Sequence, residues 1–388
     1  MILSYNHRFG VNCKQDFKKA EDYCLLACSE GSKLALGMKH LFGWKTEKDE
    51  KKAFEIFNQI VENEKDDTSF EELRCSVFLL GRCYDNGFGT ERDIHKSLEY
   101  YEKGSEMGEG CSMYNLACIR QDGDDGTEKN VKLSKDLYKK VIKLNVNISS
   151  ALNNLANIYK NGDESQNVKK NIPKAIKLYE RAIENGDRDA MFNIARFYEK
   201  GDKKEGFEKN FSLSIHYYEI AAKLGHSSAM NNLGIIYECG KEKYGIKKNV
   251  RKAFELYEYG CSLNNIYAMY NLAFLYKEGD QGAKIERDIN KACSLYFQRF
   301  SVDDHQSSMK HLMEIFKNSQ NEIVWRQEYH TFWNKESNLN PKIIFLLLIS
   351  KHRNEMKNKP LIKGVFVKGI TLKISKYLCH FSTVNISN

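Results

Sequence analysis

A leucine or isoleucine followed by glycine or alanine returns along this chain at a near-constant interval. The residues are Leu36, Leu80, Leu116, Leu155, Ile194, Leu233 and Leu272, and the last four steps are 39 residues each. Nothing else in the sequence restricts the fold as strongly. A long phrase repeated at fixed spacing requires a stack of like supersecondary units, each burying its apolar face on its neighbours. The chain has only three prolines among 388 residues, and Ala, Leu, Glu, Lys and Tyr abound between its glycines. That composition favours helix over strand. The expected fold is therefore all-α, a solenoid of helix pairs.

Each unit reads as two helices, A then B. Helix A carries apolar and small residues on one face, as at Ala190, Ile194, Ala195 and Tyr198, spaced for a single helical stripe. The residue after the Leu is Gly37, Gly81, Ala117, Ala156, Ala195, Gly234 or Ala273. Invariably small side chains there imply a close neighbouring helix. An aromatic follows three residues later at Tyr84, Tyr159, Tyr198, Tyr237 and Tyr276, with His40 and Arg120 as departures. A glycine then closes helix A, from Gly43 to Gly279, at the position where a left-handed residue ends a helix. Helix B opens on Asp49, Asp93, Asn130, Asn171, Asn210, Asn249 or Asp288, residue types that cap unpaired first-turn N–H groups. It continues Ala-x-x-Leu-Tyr, as in Ala175–Tyr179, Ala253–Tyr257 and Ala292–Tyr296. This reading places a partial unit at 1–33 (a second helix without its first), seven units at 34–300, a degenerate capping helix at 301–317 and a basic module at 318–388.

The combined wording is Ala-x-x-x-Leu-Gly-x-x-Tyr-x-x-Gly, a loop, Asp/Asn-x-x-Lys-Ala-x-x-x-Tyr, then Ala-Ala-x-x-Gly. It resembles the Sel1-like repeat, a relative of the tetratricopeptide repeat, over roughly residues 17–300. The Asn- and Lys-rich, Pro-poor composition is similar to repeat proteins of amoebae and their giant viruses. The resemblance implies a right-handed superhelix with helices A lining its concave face, and a scaffold or adaptor role without enzymatic activity. Some secreted, cysteine-rich members bind or hydrolyse β-lactams and carry a cysteine pair with seven residues between in each repeat. Here only Cys75 and Cys83 have that spacing, so that activity is a remote alternative.

The net charge is +8. Residues 342–388 hold nine Lys/Arg against Glu355 alone, which accounts for the whole excess. The repeats are neutral, and the last segment is a cationic patch. It is either a folded cap with a solvated surface or a module that docks on an acidic protein, nucleic acid or anionic lipid. The opening residues lack the basic-then-apolar pattern of a secretory leader. The longest apolar run, Ile343 to Ile349, is far short of a ~20-residue membrane span. Eleven cysteines occur, none in a Cys-x-x-Cys pair, as expected of buried thiols in a reducing, cytoplasmic setting.

The candidate site is the Asn immediately before the helix A Leu: Asn115, Asn154, Asn193, Asn232 and Asn271. In tetratricopeptide repeats, to which the repeat is related, this position faces the groove. An amide offers both a donor and an acceptor to an extended peptide. The alternative is a ladder that ties each repeat to the next. Neighbouring groove candidates are Asn153, Asn157, Asp189, Arg196 and Asn231. The expected partner is one or more proteins. No catalytic constellation, cofactor motif or metal-ligand spacing is expected. Gly87-Phe-Gly89 and Gly123-Asp-Asp-Gly126 follow helices and lack Gly-Lys-Ser/Thr, so they read as turns. The apolar stretch from Ile323 to Trp333 either closes the end of the array or meets a partner. Residues 361–378 read equally as helix or strand.

Overall fold

The structure, a computed structural model, describes residues 1–11, 13, 15–63, 69–123, 126–303 and 306–317. The acidic pair at 124–125 and the 318–388 module therefore lie outside the described residues. Short loops link seventeen α-helices here: α1 (Ile2–Phe9), α2 (Phe17–Ser29), α3 (Lys33–Phe42), α4 (Glu50–Glu62), α5 (Phe70–Asn86), α6 (Ile94–Glu106), α7 (Gly110–Asp122), α8 (Val131–Lys143), α9 (Ile148–Asn161), α10 (Ile172–Glu184), α11 (Arg188–Lys200), α12 (Phe211–Lys223), α13 (Ser227–Cys239), α14 (Val250–Ser262), α15 (Ile266–Glu278), α16 (Ile289–Asp303) and α17 (Gln306–Lys317). Only isolated β-bridges join them among the described residues. The chain forms two compact units that part within α11. Unit 1 is Met1–Ile194 with Asp202–Phe207, and unit 2 is Ala195–Gly201 with the chain from Glu208 onward.

The start of the chain corrects the sequence reading. Residues 1–33 form both helices of a pair, α1 and α2, rather than a second helix alone. The repeat wording is obscured there because Ser4 occupies the small-residue position. Its hydroxyl is buried and donates to the Ala20 carbonyl at 2.6 Å, which satisfies a polar group where other repeats have only Gly or Ala. At the other end, α16 runs on through Asp303 and α17 packs beside it.

The cap column performs as its residue types require. Asp49, Asn130, Asn171, Asn249 and Asp288 each accept from the backbone N–H three residues on at 2.9 Å, Asn210 at 3.0 Å and Asp93 at 3.1 Å. Asn249→Ala is expected to cost about 1 kcal/mol, read as earlier hydrogen exchange in the first turn of α14 with the rest of the chain unchanged. Loop length decides how helix A ends. Gly43, six residues before its cap, is left-handed with φ 69° and ψ 30°. Gly240, nine residues before its cap, has φ 64° and ψ 168°, a region open to glycine alone. The longer loop needs that turn to form a 3-10 turn closed by the Lys241–Ile246 bridge.

Much of the core lies between the two helices of each pair. Tyr101, Tyr138, Tyr179, Tyr218, Tyr257 and Tyr296 are all at most 1% exposed. Their rings occupy the space left by the small column. A Cβ built on Gly81 would lie 2.7 Å from the Tyr101 ring, and one on Gly234 would lie 2.5 Å from Tyr257. Close approach is thus the reason for glycine here. Leu80, Leu116, Leu155, Ile194, Leu233 and Leu272 are buried, whereas Leu36, the first of the column, is 39% exposed. Among the ten described cysteines, Cys24, Cys75, Cys83, Cys111 and Cys293 are buried and Cys239 is exposed.

Candidate functional site

The five asparagines occupy equivalent, half-buried positions on α7, α9, α11, α13 and α15. Each points its amide nitrogen at the preceding repeat. Asn115 Nδ2 donates to the Tyr101 hydroxyl at 2.9 Å, Asn154 to Tyr138 at 3.1 Å and Asn232 to Tyr218 at 3.0 Å. Asn193 instead donates to Asn153 Oδ1 at 3.0 Å, and Asn271 to Asn231 Oδ1 at 2.9 Å. The choice follows the residue two before the Leu of the preceding helix A. Where that residue is Phe78, Tyr114 or Phe192, the amide turns to the buried tyrosine. Where it is Asn153 or Asn231, a nearer acceptor takes the bond.

The tyrosines extend these bonds into relays across three helices. Tyr101 donates to Asp85 Oδ2 at 3.3 Å, Tyr138 to Cys118 Sγ at 3.3 Å and Tyr218 to Glu199 Oε2 at 2.8 Å. Each relay therefore runs from one helix A, through helix B, to the next helix A. Burial, and then the Glu199 carboxylate, push the Tyr218 hydroxyl well above its ordinary pKa. It stays protonated and can donate and accept at once. Sequence reasoning marked the helix B tyrosine as a repeated word but not as a partner of the asparagines. The signal was present in the near-constant offset of the two columns, 14 or 16 residues from tyrosine to asparagine.

The remaining candidates divide by burial. Asn153 and Asn231 are 7% and 6% exposed. Asn157 is half-buried and accepts from Tyr179 at 2.6 Å and from Lys160 at 3.2 Å. Arg196 and Asp189 are exposed. Among the described residues, no donor reaches Oδ1 of Asn115, Asn154, Asn193 or Asn271, whereas Asn232 Oδ1 accepts from Asn231 at 3.3 Å. Four amides are thus held at their nitrogen and keep a carbonyl that can accept.

Helix B contributes a second recurring contact. The lysine three places after the cap lies over the helix A tyrosine ring, with Lys174 4.4 Å from the Tyr159 centroid, Lys252 4.0 Å from Tyr237 and Lys291 4.9 Å from Tyr276. These are cation–π contacts within a repeat. In unit 2, a cleft of about 510 Å³ opens beside the last pair, lined among others by Arg251, Phe254, Tyr276, Lys284, Arg287 and Lys291. Among the described residues, no group of three His, Cys, Asp or Glu side chains is placed to hold a metal ion, and no helix is long and apolar enough to cross a membrane.

Comparison with known proteins agrees with the paired-helix fold. The Sel1 repeat profile matches residues 1–32, 33–63, 76–109, 112–146, 149–187, 188–226, 227–265 and 266–298. No curated protein matches the chain. Among solved structures, it is similar to c5321, a protective antigen of uropathogenic Escherichia coli strains with an SLR fold. The identity is 19% and the TM-score 0.57, over 91% of this chain and 68% of that one. It is also similar to a Sel1 repeat protein from Oxalobacter formigenes, with 24% identity and a TM-score of 0.53 over 69% of this chain and 96% of that one. The eight profile matches run nearly end to end over the paired helices α1–α16, and the chain belongs to the Sel1 repeat family.

Proposed function

We propose that this chain is a protein-interaction scaffold that holds extended partner segments against its helix A faces. Asn115, Asn154 and Asn193 serve in unit 1, and Asn232 and Asn271 in unit 2. The observation that carries the reading is the state of the asparagine amides. Their nitrogens are fixed by the chain's own acceptors, and four Oδ1 atoms remain open to a backbone N–H from a partner. An amide whose rotamer is already locked loses little entropy on binding. Arg196, exposed on α11, would add selectivity at the edge of this face.

Partner capture is the test. Because Asn193 bonds Asn153 and not a tyrosine, its replacement leaves the tyrosine relays intact. Asn193→Ala, with Asn271→Ala, whose amide likewise bonds an asparagine, Asn231, is expected to weaken capture of a partner segment about tenfold while circular dichroism is unchanged. Undiminished capture by the double variant would remove the asparagines from the binding surface.

The charge of residues 342–388 supports a second reading, docking on an anionic surface. Deleting the segment should then abolish retention on heparin or anionic vesicles, and raising salt should do so before deletion. Retention that survives the deletion excludes it.

A further inference from the structure

The first helix makes contacts that its place in the repeat series does not explain. A repeat packs on its neighbour, yet α1 reaches past α3 to α5 of the third pair and to the residue that caps α7 of the fourth. The Tyr5 hydroxyl donates to Glu109 Oε1 at 2.9 Å, and Glu109 is the N-cap residue of α7. The Tyr5 and Phe9 rings meet Phe78 of α5 edge-on, with centroids 5.9 and 5.1 Å away. The Arg82 guanidinium lies 5.3 Å from the Phe9 centroid, and the Arg8 guanidinium lies 4.2 Å over Phe42 of α3. Beyond the helix, Val11 pairs with Val146, just before α9.

These contacts define a seat with a specific chemistry. Phe78 and Arg82 stand two residues before and two after Leu80, positions equivalent to Asn153 and Asn157 around Leu155. The seat offers an aromatic wall, a guanidinium above it and, at one end, a carboxylate. The carboxylate belongs to Glu109, only 3% exposed, whose other oxygen accepts from the Ser112 N–H. A neutral hydroxyl suits it, and Tyr5 supplies one. Tyr5 itself is 2% exposed. Its neighbour one turn on is Phe9, 4.8 Å between centroids, so one helix face presents two rings four residues apart.

The occupant is slight by comparison with its seat. α1 has eight residues, its N-cap makes no side-chain bond, and only Ser4 and Tyr5 are buried. Leu3 is 55% exposed. A helix of this length does not persist alone in water, so its order derives from what it rests on. Helices at the margins of a structure, with few buried side chains, open at the lowest free energies.

We propose that the surface formed by Phe42, Phe78, Arg82 and Glu109 is a helix-docking site for which α1 is the resident, displaceable ligand. The partner it fits is an amphipathic helix with a tyrosine, a second aromatic four residues later and a basic residue just before the latter. Such a helix would enter by replacing α1, in the helix-in-groove manner. This site uses none of the asparagine column, so it stands or falls separately from the function proposed above.

The full chain carrying Tyr5→Ala and Phe9→Ala together tests it, with a fluorescein-labelled peptide of residues 1–12 as the probe. The variant is expected to bind the peptide at least tenfold more tightly than the unaltered chain. A peptide with both rings replaced by alanine should not bind. Equal binding by both chains would place the peptide elsewhere, and no binding to a variant of unchanged helicity would remove the site. If the variant loses helicity, hydrogen exchange on the unaltered chain decides. Exchange of the α1 amides at least tenfold faster than those of α5 supports a displaceable helix. Exchange at the α5 rate shows a fixed repeat and overturns the proposal.

Discussion

Tyr218→Ala should destabilise the repeats around it by about 3–5 kcal/mol, the cost of emptying a buried aromatic site. The Tyr218 ring is fully buried, and its hydroxyl joins Glu199 to Asn232. Removing the ring therefore opens a cavity and also strands a carboxylate and an amide. Tyr218→Phe separates the two contributions. It keeps the ring and breaks only the relay, at roughly 1–2 kcal/mol. Tyr296→Phe serves as the control in the same column. Its hydroxyl is buried and has no hydrogen-bond partner among the described residues, so its removal should be neutral or slightly stabilising. Hydrogen exchange resolved by repeat is the measurement to use, because in a stacked array stability is local and neighbour-dependent, and a single midpoint mixes many units. A Tyr296→Phe loss equal to that of Tyr218→Phe would refute the relay as a stabilising element.

Gly234→Leu is the second large effect, with an expected loss of roughly 3 kcal/mol from overpacking. A Cβ at this position falls 2.5, 2.9 and 3.0 Å from three atoms of the Tyr257 ring. That ring is fully buried and its hydroxyl is tied to Glu238 at 2.7 Å, so it cannot swing aside without giving up a bond. Gly234→Ala should cost about 1–2 kcal/mol despite the better helix propensity of alanine, because the clash exceeds the ~1 kcal/mol that propensity returns. Other repeats hold alanine here, at Ala117, Ala156 and Ala273. Denaturant titration of both variants gives the comparison, and a Gly234→Ala variant more stable than the parent would show that the ring yields freely.

Much of this was legible in one dimension. A repeating word identifies a stack, and residue types at fixed offsets identify caps, stops and close approaches without any knowledge of the partner helix. The Asn and Asp caps and the glycine contacts follow from such local rules, because first-turn N–H groups and left-handed turns arise within a few residues of the chain. The first pair escaped because Ser4 stands where the pattern expects Gly or Ala. Its hydroxyl is satisfied by Ala20, sixteen residues away, a compensation that no local rule shows.

The asparagine column marks the boundary between the two kinds of knowledge. Its existence, and its neighbourhood on helix A, were set by the sequence alone through the 39-residue interval. Which atom of each amide is occupied was decided only by packing. Asn115 and Asn154 reach a tyrosine on the preceding helix B, while Asn193 reaches Asn153, forty residues back. The difference depends on whether the preceding helix A presents a ring or an amide at the contact. For α1 the sequence supplies two rings four residues apart, Tyr5 and Phe9. That those rings rest on Phe78 and Glu109 as well as on Phe42 of the adjacent pair is a matter of how unit 1 packs. Local sequence sets the spacing of the two rings, and only the assembled stack determines the helix they form and which distant surface covers it.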